Sequence, residues 1–225
     1  MSKNQIKKED TLENVEVALG RTEQFIENNQ KLLTIIVLTL VIVVGGYYAY
    51  QKLYLQPLDK EAQKEVFSAQ LSFERDEYKL ALEGDGLHPG FLDIIDQYGR
   101  TKVGKLSYYY AGISYLHLGE FENAIEYLKN FKTKDSELAA VSAGAIGDCY
   151  LELGEKEKSL DWYTEAVSYE NLLTTPFYLL KQGMMFEQNA ENDKALKAYQ
   201  IIKDKYKTSN EARQIDKYIT RVALK

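Results

Sequence analysis

The chain is short of the side chains that do chemistry: among 225 residues there are one cysteine, two histidines and one tryptophan. A lone cysteine excludes an intrachain disulfide. Cys149 stands beside Tyr150 in an apolar-periodic stretch with no histidine near it, and reads as a small buried side chain rather than a nucleophile. His88 lies in a Gly/Pro loop and His117 near the end of a helical stretch, and neither has a partner at metal-ligand spacing. Asp93 and Asp96 resemble a carboxylate pair, but acids at i, i+3 normally form the solvated face of a helix. A phosphate loop, a Gly-x-Ser-x-Gly elbow, a His-Glu-x-x-His pair and a dinucleotide fingerprint are all missing. The expectation is a non-enzymatic protein without metal or cofactor. Basic charge is also in deficit, with 28 Lys and Arg against 34 Asp and Glu and a net charge of −6, so nucleic acid is a poor partner.

What the chain has instead is tyrosine, 18 of them against 8 phenylalanines. Tyrosine joins a large apolar body to a polar tip and suits helix interfaces and wet binding surfaces. The chain also has one long apolar run. Residues 32–50, LLTIIVLTLVIVVGGYYAY, contain no charged side chain. As a helix they span about 28 Å, close to the ~30 Å hydrocarbon core of a bilayer. Tyr47, Tyr48, Tyr50 and Tyr54 gather at its end, where amphipathic rings sit at headgroup level. The run is too long and too far from the N-terminus for a cleaved signal peptide, and it reads as a membrane anchor. Arg21 and Lys31 flank it on one side and Lys52, Lys60 and Lys64 on the other, so flanking charge specifies orientation only weakly.

Before the run, residues 1–9 read as disordered. From Asp10, a candidate cap, a short amphipathic helix carries Leu12, Val15, Leu19 and Ile26 on one face and suits a partner protein or the membrane surface. After the run, Pro57 is expected to interrupt or kink the helix. Residues 58–82 follow as one helix with Ala62, Val66, Ala69, Phe73 and Leu80 on a face. Gly84 to Gly90 is a loop, and a short helix ends at Gly99.

From Lys105 the chain repeats itself. Tyr108, Ala111, Gly112 and Tyr115, then Ala124, Leu128 and Phe131, form one copy. Ala143, Ile146, Gly147 and Tyr150, then Ser159, Tyr163 and Ala166, form a second. Leu179, Gln182, Gly183 and Phe186, then Ala195, Tyr199 and Ile202, form a third. Ala124, Ser159 and Ala195 are 35 and 36 residues apart, and the internal spacing is that of the tetratricopeptide repeat. Three glycines placed mid-helix suggest that two helix backbones approach closely there, with Ala124, Ser159 and Ala195 as the small residues opposite. Pro176 fits a first helical turn with Thr175 as its cap. Residues 208–225, with Ala212, Ile215, Ile219 and Val222 on one face, read as a capping helix.

The expected fold is all-α, a single N-terminal transmembrane helix followed by a tetratricopeptide-type α-solenoid with a C-terminal capping helix. Its parts are a tail (1–31), a span (32–50), a helical linker with a degenerate first repeat (51–104), three repeats (105–207) and the cap (208–225). Groove positions on the first helix of each repeat are Tyr109 and Ile113, Gly144 and Asp148, Leu180 and Met184. Lys, Asn and Arg are missing there, so a clamp for a chain-terminal carboxylate is not expected. Two readings of Tyr109, Ile113, Leu180 and Met184 stay open: adaptable lining for apolar segments, or burial against neighbouring helices.

Phe25-Ile26, Asn29 and Lys31 run into the span, and Gly46-Tyr47 with Tyr50 lead out of it. These flanks, with the order tail, span and repeats, resemble the YfgM family, membrane-anchored ancillary subunits of the bacterial Sec translocon. The resemblance implies a cytoplasmic N-terminus, periplasmic repeats, and association with the SecYEG channel and a PpiD-like anchored chaperone. It also implies a role for newly exported client polypeptides beside the lipid bilayer, with Phe25, Ile26, Asn29, Lys31, Gly46, Tyr47 and Tyr50 as membrane or channel contacts. The functional expectation is an anchored adaptor or co-chaperone. The alternatives are a scaffold for another envelope complex, such as outer-membrane assembly or cytochrome maturation, and a cytosol-facing receptor.

Overall fold

The computed structural model describes residues 3–224, with side chains described at 24, 25 and 27–224. Among these residues the regular structure is entirely helical, in two units, 1–56 and 57–225.

In the first unit one helix, α1 (Lys3–Ala49), replaces the expected disordered tail and separate amphipathic helix. Asp10 lies inside it rather than at a cap. No proline interrupts the backbone ladder over 3–31, and the single glycine in that stretch, Gly20, costs only about 1 kcal/mol. The apolar side chains find no cover within the chain. Ile36 is 52% exposed and Ile42 71%, the residues from 34 to 50 are all exposed, and Leu33 is partly exposed. Thr34 and Thr39 donate their hydroxyls to the carbonyls of Gln30 and Ile35, at 2.7 and 2.8 Å, which hides polarity along the apolar run. By length and composition this is a helix that can cross a membrane. The interruption expected at Pro57 takes the form of a π-helical stretch, Tyr50–Leu55. Helix resumes at Gln56 with Pro57 second, where a missing N–H costs little.

The second unit begins at the second residue of α2 (Gln56–Glu74), which buries Ala62, Val66 and Ala69. The single helix expected over 58–82 is broken. Asp76 adopts a left-handed φ of 59°, and the N–H groups of Asp76 and Glu77 close back onto the carbonyls of Phe73 and Ser72. α3 (Tyr78–Glu83) restarts in a shifted register, so Ala81 and Leu82 face the core and Leu80 does not. The glycine loop follows. Gly84 has φ +76°, and a Cβ there would stand 2.3 Å from the His88 carbonyl oxygen. Asp85 holds the loop by facing the His88 ring and accepting the N–H groups of His88 and Leu87. These contacts keep its carboxyl down at about 2. α4 (Phe91–Tyr98) seats Phe91, Ile94 and Tyr98 against α2 and α3.

Three helix pairs then run α5 (Lys102–His117) with α6 (Phe121–Asn130), α7 (Ser136–Glu152) with α8 (Lys156–Ser168), and α9 (Thr175–Gln188) with α10 (Asn192–Lys205). Each helix from α4 onward packs on the next in the chain, ending with α11 (Ile215–Ala223) on α10. The expected capping helix is shorter than its pattern, because residues 211–214 form a 3-10 turn. The first pair starts at Lys102, with Thr101 accepting the N–H of Gly104 at 3.0 Å and Asp59 accepting those of Lys102 and Val103. Thr175 is the first helical residue of α9 rather than its cap. Asn171 braces that turn, accepting the N–H groups of Leu173 and Thr174.

The repeated glycines are corrected in kind. The nearest atoms belong to a side chain, while at Gly112 and Gly147 the partner backbone also comes close, with Leu128 N and Ser159 O at 3.1 and 3.3 Å from the Cβ position. A Cβ on Gly112, Gly147 or Gly183 would stand 2.5, 2.7 or 2.3 Å from Leu128, Tyr163 or Tyr199 of the paired helix. Ala124, Ser159 and Ala195 are fully buried beside these contacts.

Candidate protein-binding surface

The groove-facing positions of α5, α7 and α9 are unequal. Tyr109 and Ile113 are half-buried and pack against the core shared by α6 and α7, with the Tyr109 ring 5.4 Å from that of Phe131. Gly144 is covered by the Tyr178 ring, whose atoms would meet a Cβ at 2.0 Å. Leu180 is half-buried against the last core cluster, and Met184 is 39% exposed. Apolar lining and inter-helix packing are therefore mixed along one face.

Asp148 anchors a polar clasp. Its Oδ1 accepts the hydroxyl of Tyr163 on α8 at 2.5 Å and the ammonium of Lys181 on α9 at 2.5 Å. Lys181 also lies over the Tyr163 and Phe177 rings, 5.5 and 5.0 Å from their centroids. The same device recurs one repeat later. The hydroxyl of Tyr199 on α10 donates to Glu187 on α9 at 3.1 Å, and Arg221 on α11 grips Glu187 through Nε and Nη2 at 2.9 and 2.5 Å. Burial first, then the bonded carboxylate, pushes both phenols far above their ordinary range. Each clasp joins the two helices of a pair to the next element. Sequence spacing marked Asp148 as a groove residue, but nothing marked Glu187, because its partners lie 12 and 34 residues away.

Two cavities border the α6–α7 loop, and neither follows from the repeat pattern. One, of about 590 Å³, lies among α6, α7 and α8 and is lined by Phe131, Ile146, Trp162 and Tyr169. Lys129 closes on its aromatic wall, donating to the Tyr150 hydroxyl at 3.0 Å and lying 5.6 Å from the Trp162 ring centre. The other, of about 570 Å³, lies between α5, the loop and α7 and is rimmed by lysines. Both sizes are those of ligand or peptide-anchor pockets.

The chemically suggestive residues have other partners. Cys149 is fully buried, and burial followed by the nearby Asp148 charge pushes its thiol up to about 12. The His117 ring stacks on Tyr78 at 4.3 Å. Around the apolar run, Phe25 is 60% exposed, Asn29 donates to the Phe25 carbonyl at 2.8 Å, and Lys31 points outward. Gly46 has open space around it, Tyr47 accepts from Gln51, and Tyr50 stacks on Tyr54 at 5.4 Å. The Ile26 side chain lies outside the described residues.

Residues 106–137 and 178–209 match the tetratricopeptide repeat. The chain carries tetratricopeptide repeats. These are protein-interaction modules whose stacked pairs build a binding surface. The pair α7/α8, between the two matched stretches, has the same glycine seat and inter-helix packing. A solved structure, the crystal structure of MamA, is similar at 21% identity over 60% of this chain and 87% of that one, with a TM-score of 0.41. No curated protein matches significantly.

Proposed function

We propose that this protein is a membrane-anchored, non-enzymatic adaptor or co-chaperone. On this reading residues 32–50 cross the bacterial inner membrane from a cytoplasmic N-terminus, and the tetratricopeptide repeats receive polypeptides on the periplasmic side. The observation that carries it is an apolar run whose side chains find no cover in the chain, in the same molecule as protein-binding repeats. An anchor raises the effective concentration of the repeats beside a membrane channel, so weak contacts suffice. The flanks at Phe25 to Lys31 and Gly46 to Tyr50 support the SecYEG channel and a PpiD-like chaperone as partners. Copurification from gently solubilised membranes should bring down translocon subunits, and their absence from a stable tagged protein sinks the proposal. Protease added to spheroplasts should digest the repeats, whereas protection would place them in the cytosol.

A second reading is favoured by the seating of Tyr178 over Gly144 and by the engagement of Asp148. A groove partly closed by its own helices suits a scaffold for another envelope complex, and the same copurification would then enrich those components.

A further inference from the structure

We infer that the cleft between α5, the α6–α7 loop and α7 docks an acidic peptide segment carrying apolar anchors. This site rests on the polypeptide-binding role proposed above and adds the chemistry of one partner. Lys102 and Lys105 from the first turns of α5 and Lys132 and Lys134 from the loop rim the cleft, with Leu106 and Leu138 between them. All four lysines are exposed, no carboxylate lines the cleft, and among the described residues none of the four is in an ion pair. Of the acids nearest along the elements, Glu137 is exposed in the first turn of α7 and does not line the cleft, and two others are engaged at helix ends. Asp59 accepts the N–H groups of Lys102 and Val103, and Asp135 accepts those of Glu137 and Leu138.

Four uncompensated cations around an apolar floor are mutually repulsive, and an acidic partner relieves the repulsion. They stand in a chain of net charge −6. A flat anionic bilayer would face a chain of net charge −6 as well as the lysines, while a narrow peptide can seat within the cleft that the lysines rim. The adjoining cavity shares Phe131, Lys132 and Thr133 with the cleft and offers an aromatic wall for an apolar anchor. Trp162 in that wall is the only tryptophan of the chain, so its emission reports the anchor directly.

The test uses the full chain in zwitterionic nanodiscs with two labelled synthetic peptides. In one, Glu pairs alternate with Leu and Phe; in the other, Lys replaces Glu. The acidic peptide should bind at least about tenfold tighter, weaken as salt rises and shift Trp162 emission. Lys105→Glu with Lys132→Glu should reverse the preference, while Lys156→Glu with Lys205→Glu should leave it unchanged. Lys102→Gln with Lys134→Gln, checked for helicity, gives the same answer with a milder change. Equal binding of the two peptides, or indifference to the cleft lysines, overturns the proposal. Lysine-dependent binding to phosphatidylserine vesicles without peptide binding would reassign the cleft to lipid. A dimer broken by these substitutions would reassign it to a second copy. Failure here with translocon copurification intact overturns this site alone.

Discussion

The first helix pair and the two that follow differ in the side chain seated on the first-helix glycine. In α6 it is Leu128; in α8 and α10 it is Tyr163 and Tyr199. A leucine needs only apolar neighbours, and it has them. A buried tyrosine needs an acceptor for its hydroxyl, the acceptor is a carboxylate, and the carboxylate calls for a cation. Asp148 and Glu187 are the acceptors, and Lys181 and Arg221 arrive from the next element along the chain. The positions in α5 that correspond to Asp148 and Glu187 hold Ile113 and Leu116. Tyrosine in place of leucine at this seat thus goes with a polar clasp across three helices instead of an apolar contact between two. The junction without a carboxylate clasp, where α6 meets α7 and α8, is where the 590 Å³ cavity opens.

This comparison can be broken most forcefully at Leu128. Leu128→Tyr should destabilise the chain by about 2–4 kcal/mol in urea unfolding, because it overpacks the Gly112 seat and buries a hydroxyl without an acceptor. Ile113→Asp in the same background should recover part of that loss. A neutral Leu128→Tyr would mean that the carboxylates are incidental. Glu187→Ala should cost about 2 kcal/mol, and Asp148→Ala less, since the Glu187 side chain is 7% exposed against 31% for Asp148.

Tyr163→Phe and Tyr199→Phe should each cost about 1 kcal/mol near neutral pH. Their phenols ionise above the ordinary value of about 10, so their contribution is complete below that pH and is lost as pH rises beyond it. Alkaline unfolding followed by tyrosinate absorbance should therefore be shallower in the double Phe variant, and an unchanged alkaline limb would remove these two residues from the account. The smallest effect lies at the turn inside each pair. Gly119 and Gly154 have φ of +78° and +77°, but the third copy places Ala190 at φ 58°. Ala190→Gly should stabilise by up to about 1 kcal/mol, and Gly119→Ala or Gly154→Ala should destabilise by a similar amount.

Much of the helical plan was legible because each repeat writes its buried face at i, i+3, i+4 and i+7. Ala111, Ala124, Ile146, Ala166, Leu179 and Ile202 all went where that spacing put them. The break at Asp76 was not legible, since an aspartate with positive φ gives no local sign until the helix around it has somewhere to pack. The shift from Thr175 to Thr174 at the start of α9 has a similar cause, because Asn171 braces the turn from outside the usual cap position. The binding surface was legible only in part. Its first-helix positions could be counted, but whether Tyr109 faces a groove or Phe131 depends on how the next pair stacks.

By itself the sequence determined the all-helical class, the apolar run and the period of the repeats. All three rest on contacts within a few residues, or on a solvent preference that each side chain carries alone. Only the tertiary structure decided that Gly147 and Gly183 receive tyrosine rings, that Glu187 is tied to Arg221, and that lysines from α5 and a distant loop share one cleft. Those pairings join residues 16 to 34 positions apart, and their partners are chosen by packing geometry, which no local pattern encodes.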